Sequence, residues 1–220
     1  MSARQSPPPV VIDLSHSLAP GMPCYPGTEP PTFTPAFSLA EHGFVERRLT
    51  LLTHTGTHVD TPAHMLPDGK DLDAYPATYF VGRAVVLDVS AAPAGRISDT
   101  MLRPHARRLS GCDYLLLYTS WSDHWGEATY VAGYPALTPD AARWLCDRDL
   151  RGVGVDAVSI DPAGAAAYEV HRILLERGML IVENLTNLGT LRGREFLFAC
   201  LPLKIAGADG APVRAVALVG

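Results

Sequence analysis

Four side chains able to bind a divalent cation or move a proton fall in one short segment, Thr53 to His64, THTGTHVDTPAH. They are His54, His58, Asp60 and His64, and they include three of the chain's eight histidines. A continuous helix puts His54 and His58 on one face but turns Asp60 away. A continuous strand puts all four on one face. It also separates His54 from His64 by roughly 33 Å, too far for one ion. The four meet only if the backbone bends. Gly56 and Pro62 are where a bend costs least, through the open φ of glycine and the fixed φ of proline. The segment reads as a folded-back loop after a strand, converging its side chains on one point.

Elements on either side must hold that loop. Arg47 to Thr53 (RRLTLLT) reads as the strand that delivers it. Val10 to Leu14, Ala84 to Val89, Tyr114 to Thr119, Val153 to Ile160 and Met179 to Val182 read as short buried strands. Phe196 to Ile205 and Val213 to Val219 read as two more, joined by GADGAP as a hairpin turn. Thr138-Pro139-Asp140 starts a helix, and Ala165 to Arg177, stopped by Gly178, reads as the longest one. There is no regular strand–helix alternation, so a doubly wound sheet is disfavoured. The expected fold is one α/β domain over residues 1–220, mostly sheet or open barrel with helices outside.

Two further residues enter as ligand candidates. His171 shares a face of the long helix with Ala167, Tyr168, Leu174 and Leu175. Such a histidine is usually a satisfied core residue, and it counts as a ligand because another site already wants ligands. Glu183 closes the apolar run MLIV, where an unpaired carboxylate is costly unless a cation faces it or the strand end is exposed. His124, in the loop SWSDHWG, is an additional candidate but reads as a substrate-side or solvent residue. Tyr25 and Phe33 lie in a long Pro- and Gly-rich loop. With Trp121 they could wall a pocket for a flat substrate, or they could pin loops to the core.

Composition bounds the rest. The chain has 220 residues, 47% of them hydrophobic and 19% charged, with a net charge of −5. No block of like charge marks a nucleic-acid or anionic-membrane surface, and no apolar run reaches membrane-span length. The N-terminus, MSARQSPPPV, lacks the apolar core of a secretory signal, and Pro7 to Pro9 make a short stiff lead-in. The four dispersed cysteines form no CxxC and fit free thiols in a reducing cytoplasm.

The loop His54 to His64 matches HxGTHxDxPxH without departure. It resembles the signature of the cyclase family of metal-dependent hydrolases, which includes kynurenine formamidases and isatin hydrolases. DLSHSLAPGMPCYPG, TSWSDHWG, GVDAVSIDP, ENLTNL and LPLKIAGADGAPVRA resemble the same family, so the likeness spans nearly the whole chain. It implies a swivelling β/β/α fold and a divalent metal centre, zinc first and manganese second, with one or two ions. His54, His58 and Asp60 would be ligands, with Asp60 able to bridge, joined by His171 and Glu183. His64 would be the catalytic acid and base. The implied reaction is hydrolysis of a small aryl amide, an N-formylkynurenine-like formamide or an isatin-like lactam. The alternatives are a ring-closing cyclase on a polyketide-like substrate, a catalytically idle metal-binding domain, and a purely structural metal site. The segment Asn184 to Leu188 resembles the broad family more than formamidases proper. The likeness also implies a homodimer or homotetramer.

Overall fold

Short apolar runs closed by Gly, Pro and Asp cannot bury a face alone, and here most of them join one sheet. A computed structural model describes residues 9–220; Pro7 and Pro8 of the stiff lead-in lie outside them. In chain order the strands are β1 (Val10–Asp13), β2 (Thr32–Phe37), β3 (Glu46–Thr50), β4 (His58–Asp60), β5 (Val81–Asp88), β6 (Arg96–Ile97) and β7 (Tyr114–Tyr118). They continue as β8 (Ala136–Leu137), β9 (Gly152–Val155), β10 (Leu180–Glu183), β11 (Glu195–Ala199), β12 (Gly210–Pro212) and β13 (Val216–Val219). The helices are α1 (Leu39–His42), α2 (Asp99–Leu102), α3 (Pro139–Cys146) and α4 (Glu169–Glu176).

Nine strands form a mixed sheet in the order β1-β13-β11-β5-β7-β9-β10-β4-β12. The centre, β5-β7-β9-β10, is parallel and both flanks are antiparallel. The sheet is open, because β1 and β12 are edges that do not pair with each other. Core lies on both faces, with side chains alternating at the strand period of two. Val85, Leu87, Leu115, Leu117, Val153 and Val155 pack against α3 and α4, while Ala84, Val86, Leu116, Val182, Phe196 and Phe198 fill the other side. Burying each of these larger aliphatics contributes about 1.5–3 kcal/mol, which is why the central strands read as continuous apolar runs.

Four sequence expectations are corrected. The strand expected at Arg47 to Thr53 is shorter, and it pairs with β2 in a separate exposed hairpin instead of entering the sheet. The middle of the histidine segment is itself a strand. His58–Asp60 is β4, set between β10 and β12, so only its ends bend. The bends fall where expected, at Gly56 (φ 67) and at the 3-10 turn Pro62–His64. GADGAP is no hairpin turn either: Gly210–Pro212 is β12, which covers the free edge of β4. The long helix starts at Glu169 rather than Ala165. Tyr168 before it is left-handed (φ 46), and the Asp161 carboxylate accepts the N–H groups of Val170 and His171, both at 3.0 Å. That carboxylate satisfies the first turn from outside the helix, so no turn upstream is needed.

Candidate metal centre

The parallel strands β9 and β10 end side by side, and β4 runs antiparallel beside them. In open α/β sheets this carboxyl edge is where ligands gather. Register sets the chemistry. Glu183 lies opposite His58, and Ile181 opposite Asp60, so His58, Asp60 and Glu183 share one face. Val59, Val182 and Ala211 point to the opposite core. Helix α4 brings His171 over the same face. His58 Nε2 is 3.2 Å from Asp60 Oδ1 and 3.5 Å from Glu183 Oε2. His171 Nε2 is 3.3 Å from Glu183 Oε1 and 3.6 Å from Asp60 Oδ2. His54 Nδ1 is 2.7 Å from Asp60 Oδ1. Two candidate ligand sets therefore share Asp60: His54, His58 and Asp60, and Asp60, His171 and Glu183, with the ligand atoms of each set within 4.8 Å of one another.

These residues fit a divalent cation on their own chemistry. His58 Nδ1–H donates to the Gly56 carbonyl at 2.7 Å, and His171 Nδ1–H to Asp161 Oδ2 at 2.6 Å. In the neutral ring each Nε2 then carries a lone pair, and both lone pairs face carboxylates. Acceptors meeting acceptors in a buried place demand a positive charge between them. Asp60 is 0% exposed, and its Oδ2 has no hydrogen-bond partner among the described residues. Glu183 is fixed by the Ile160 N–H, which donates to Oε1 at 2.7 Å. The partners behind His58 and His171 fix ring tautomer and direction, as they do behind metal-ligating histidines.

The electrostatics carry the same message. Burial favours the neutral Asp60 carboxyl, but His58, His54 and His171 hold it well below the usual carboxylate range. Burial also opposes charge on His54, yet Asp60 and Asp209 on either side push it up to about 10. His64 goes the other way. Burial lowers it, so its ring is neutral near pH 7.

His64 sits at the exit of the bend, its ring centroid 3.8 Å from that of His54 and 6.1 Å from that of His171. It lines a cavity of about 390 Å³ with Tyr25, Leu52, Met65, Val158 and Tyr168. The structure thus brings together all six residues read as ligands or base, and places Tyr25 in the wall with its hydroxyl 3.4 Å from that of Tyr168. Phe33 and Trp121 do not line the cavity. Phe33 stands on the hairpin opposite Leu49, carried off the sheet by β2. Trp121 packs against the α3–α4 core and spends its Nε1–H on the Tyr130 carbonyl at 2.8 Å. His124 is solvent-side, 2.9 Å from Glu127. Sequence reading missed two residues. Asp161 was hidden in a strand-closing Asp-Pro step, and its signal is an acidic residue ending the apolar run VGVDAVSI. Asp209 was hidden in GADGAP; its Oδ2 is 2.8 Å from His54 Nε2 and 3.3 Å from His64 Nδ1.

Comparison with known proteins places this arrangement in a family. The family model described as "Putative cyclase" matches residues 12–162. The kynurenine formamidase of Salinibacter ruber is 37% identical over 216 residues, covering 94% of this chain and 96% of that one. The kynurenine formamidase of Bacillus cereus is 34% identical, covering 93% and 95%. Isatin hydrolase A from Ralstonia solanacearum superposes with a TM-score of 0.86 at 27% identity, covering 96% of this chain and 92% of that one. A protein from Bacillus stearothermophilus described as a predicted metal-dependent hydrolase gives 0.77 at 28% identity, covering 94% and 97%. With its fold, its motif and these relatives in agreement, the chain belongs to the cyclase family.

Proposed function

We propose that this chain opens the C–N bond of a small aryl amide, an N-formylkynurenine-like formamide or an isatin-like lactam. Its relatives and structural neighbours make it a hydrolase of non-peptide C–N amide bonds. The observation that carries the reading is the convergence of the His58 and His171 Nε2 atoms on Asp60 and Glu183, with His64 beside them, in a cavity walled by Tyr25 and Tyr168. His54, His58 and Asp60 would hold one ion, and Asp60, His171 and Glu183 a second, zinc first and manganese second. A divalent cation held there supplies an acidified water and polarisation of a carbonyl. His64 takes the proton of the attacking water and returns it to the leaving nitrogen. Thr57 steadies the loop rather than the reacting oxygen, since its hydroxyl donates to the Asn184 carbonyl at 2.6 Å and accepts the His16 N–H at 3.0 Å. Tyr25, Tyr168 and Met65 offer flat apolar walls to an aryl ring.

Residues 1–220 form one domain in this reading, acting in the cytoplasm, where the four free cysteines stay reduced. Among the described residues no helix is long and apolar enough to cross a membrane. The β2–β3 hairpin exposes Phe37, Phe44, Val45 and Leu49. Such a surface supports a homodimer or homotetramer, which light scattering would resolve. The decisive experiment is a substrate panel of N-formylkynurenine, formanilides, isatin and simple lactones, with Zn and Mn supplied separately. A carboxylic acid product from an amide is the expected result. A dehydrated ring would move the chain to the ring-closing reading, and turnover unchanged in H64A with metal retained would remove the role given to His64.

A further inference from the structure

We propose that Asp209 is a positioning residue: it selects which ring nitrogen of His64 moves the proton, and it aims His54 at Asp60. The inference rests on the reading of His64 as the proton carrier. It starts from how Asp209 is held. Its carbonyl accepts the Thr61 N–H at 3.0 Å and the Thr61 hydroxyl at 2.9 Å, so its backbone is clamped to the turn that carries His64. The next residue has to be glycine for this approach. A Cβ at Gly210 would lie 2.5 Å from the Val59 carbonyl oxygen and 2.7 Å from His54 Cε1. The strand thus packs directly behind His54 and sets one carboxylate oxygen, Oδ2, against two rings.

An ionised carboxylate only accepts. The ring nitrogens facing it, Nε2 of His54 and Nδ1 of His64, must therefore be the N–H donors. In a neutral ring the remaining nitrogen keeps its lone pair. On His54 the nitrogen turned away from Asp209 is Nδ1, aimed at Asp60 Oδ1 at 2.7 Å. On a neutral His64 ring the nitrogen that keeps the lone pair is the one turned away from Asp209, Nε2, left free to accept a proton. An imidazole in water prefers to carry its proton on Nε2, so Asp209 imposes the opposite tautomer on the base. The same device stands behind the other two histidines of the site, as the Gly56 carbonyl behind His58 and Asp161 behind His171. Asp209 differs in serving two rings with one oxygen, which ties a candidate ligand and the base to a common support. A base held in one orientation and tautomer by a third group is the arrangement that general-base catalysis favours.

The test reads the tautomer directly. Long-range 1H–15N spectra of histidine-labelled protein, recorded metal-free and with Zn, report which nitrogen of His64 bears the proton. The expected result is Nδ1–H in the wild type and a shift toward Nε2–H in D209N, whose amide can turn a donor toward the ring. At saturating Zn, D209N should lower kcat on a formanilide by about 10- to 100-fold with KM little changed. D209S, which removes the carboxylate without adding an amide, is read the same way and covers a D209N that does not fold. An unchanged His64 tautomer, or a kcat within about twofold of wild type, overturns the proposal. A wild type that cleaves no aryl amide would sink the functional reading but leave the tautomer measurement valid.

Discussion

The site has two halves that are built differently. One half, His58, Asp60, His171 and Glu183 with Asp161 behind it, is no more than 4% exposed. Each of its polar groups is placed by the sheet or by backbone N–H donors of Ile160, Val170 and His171. The other half, His54, His64 and Asp209, is partly open to the cavity; apart from the contact of His54 with Asp60, its two rings share the single Asp209 carboxylate, itself 38% exposed. Carboxylates as buried as Asp60 and Glu183 persist only against positive charge. Proton exchange with substrate and water instead needs access. The closed half is therefore suited to holding a cation, and the open half, from which His54 reaches across to Asp60 as a candidate ligand, to moving a proton through His64.

That division can be broken first on the closed side. D60N removes the charge shared by both candidate ligand sets and leaves two imidazole lone pairs without their counterpart. Metal content measured by mass spectrometry should fall below one ion per chain, and kcat/KM should drop by about 10³-fold or more, the several kcal/mol that the cation supplies. If D60N retained metal and activity, the closed half would not be the metal-holding half. H64A addresses the open side. It should keep metal and thermal stability and lower kcat by roughly 10²- to 10³-fold, the scale of a positioned acid–base. Loss of metal in H64A would merge the two halves into one. D161N is milder. It keeps the shape behind His171 but weakens the acceptor for Nδ1–H, and metal affinity by calorimetry should fall about 10- to 100-fold. An affinity unchanged in D161N would mean that α4 alone orients His171.

The two halves also differ in how much of them a reader of the sequence could find. The ligand types and the need for a bend were legible, because Gly56 and Pro62 sit where a chain must turn. The central strands were legible from their apolar runs, and so was the Thr138 cap, which accepts the Ala141 N–H in α3. What the sequence did not disclose is pairing. That β12 adds to the edge of β4 depends on which strand edge is left free, a property of the assembled sheet, and it alone turns Asp209 from a turn residue into a partner of two histidines. The start of α4 was misread for a related reason: Asp161, eight residues before Glu169, supplies the acceptors for its first turn. Phe33 and Trp121 were placed by residue type. The hairpin and the core claimed them instead, through contacts that side-chain chemistry does not foretell.

A carboxylate outside the site sharpens the comparison by its contrast with Asp60. Asp156 is also 0% exposed, but among the described residues no histidine pairs with it. It accepts from Thr119 N–H at 2.8 Å, from the Thr119 hydroxyl at 2.5 Å and from Ser120 N–H at 3.1 Å. Burial outweighs these donors and pushes its pKa up to about 6, where Asp60 among its histidines is held far lower. The sign follows from linkage. A folded pKa above the unfolded one, about 3.9, favours the protonated native state. The contribution is complete below about pH 4 and is lost as pH rises through about 6, on the order of 3 kcal/mol in all. D156N cannot ionise and should lack this slope, although it sacrifices the Ser120 bond at every pH. Urea melts of both proteins across that range should show the wild type losing about 3 kcal/mol relative to D156N as pH rises. Parallel stability profiles would mean that the hydrogen bonds of Thr119 and Ser120 compensate burial in full. Histidines would then not be what separates a carboxylate poised to hold a cation from one that is merely buried.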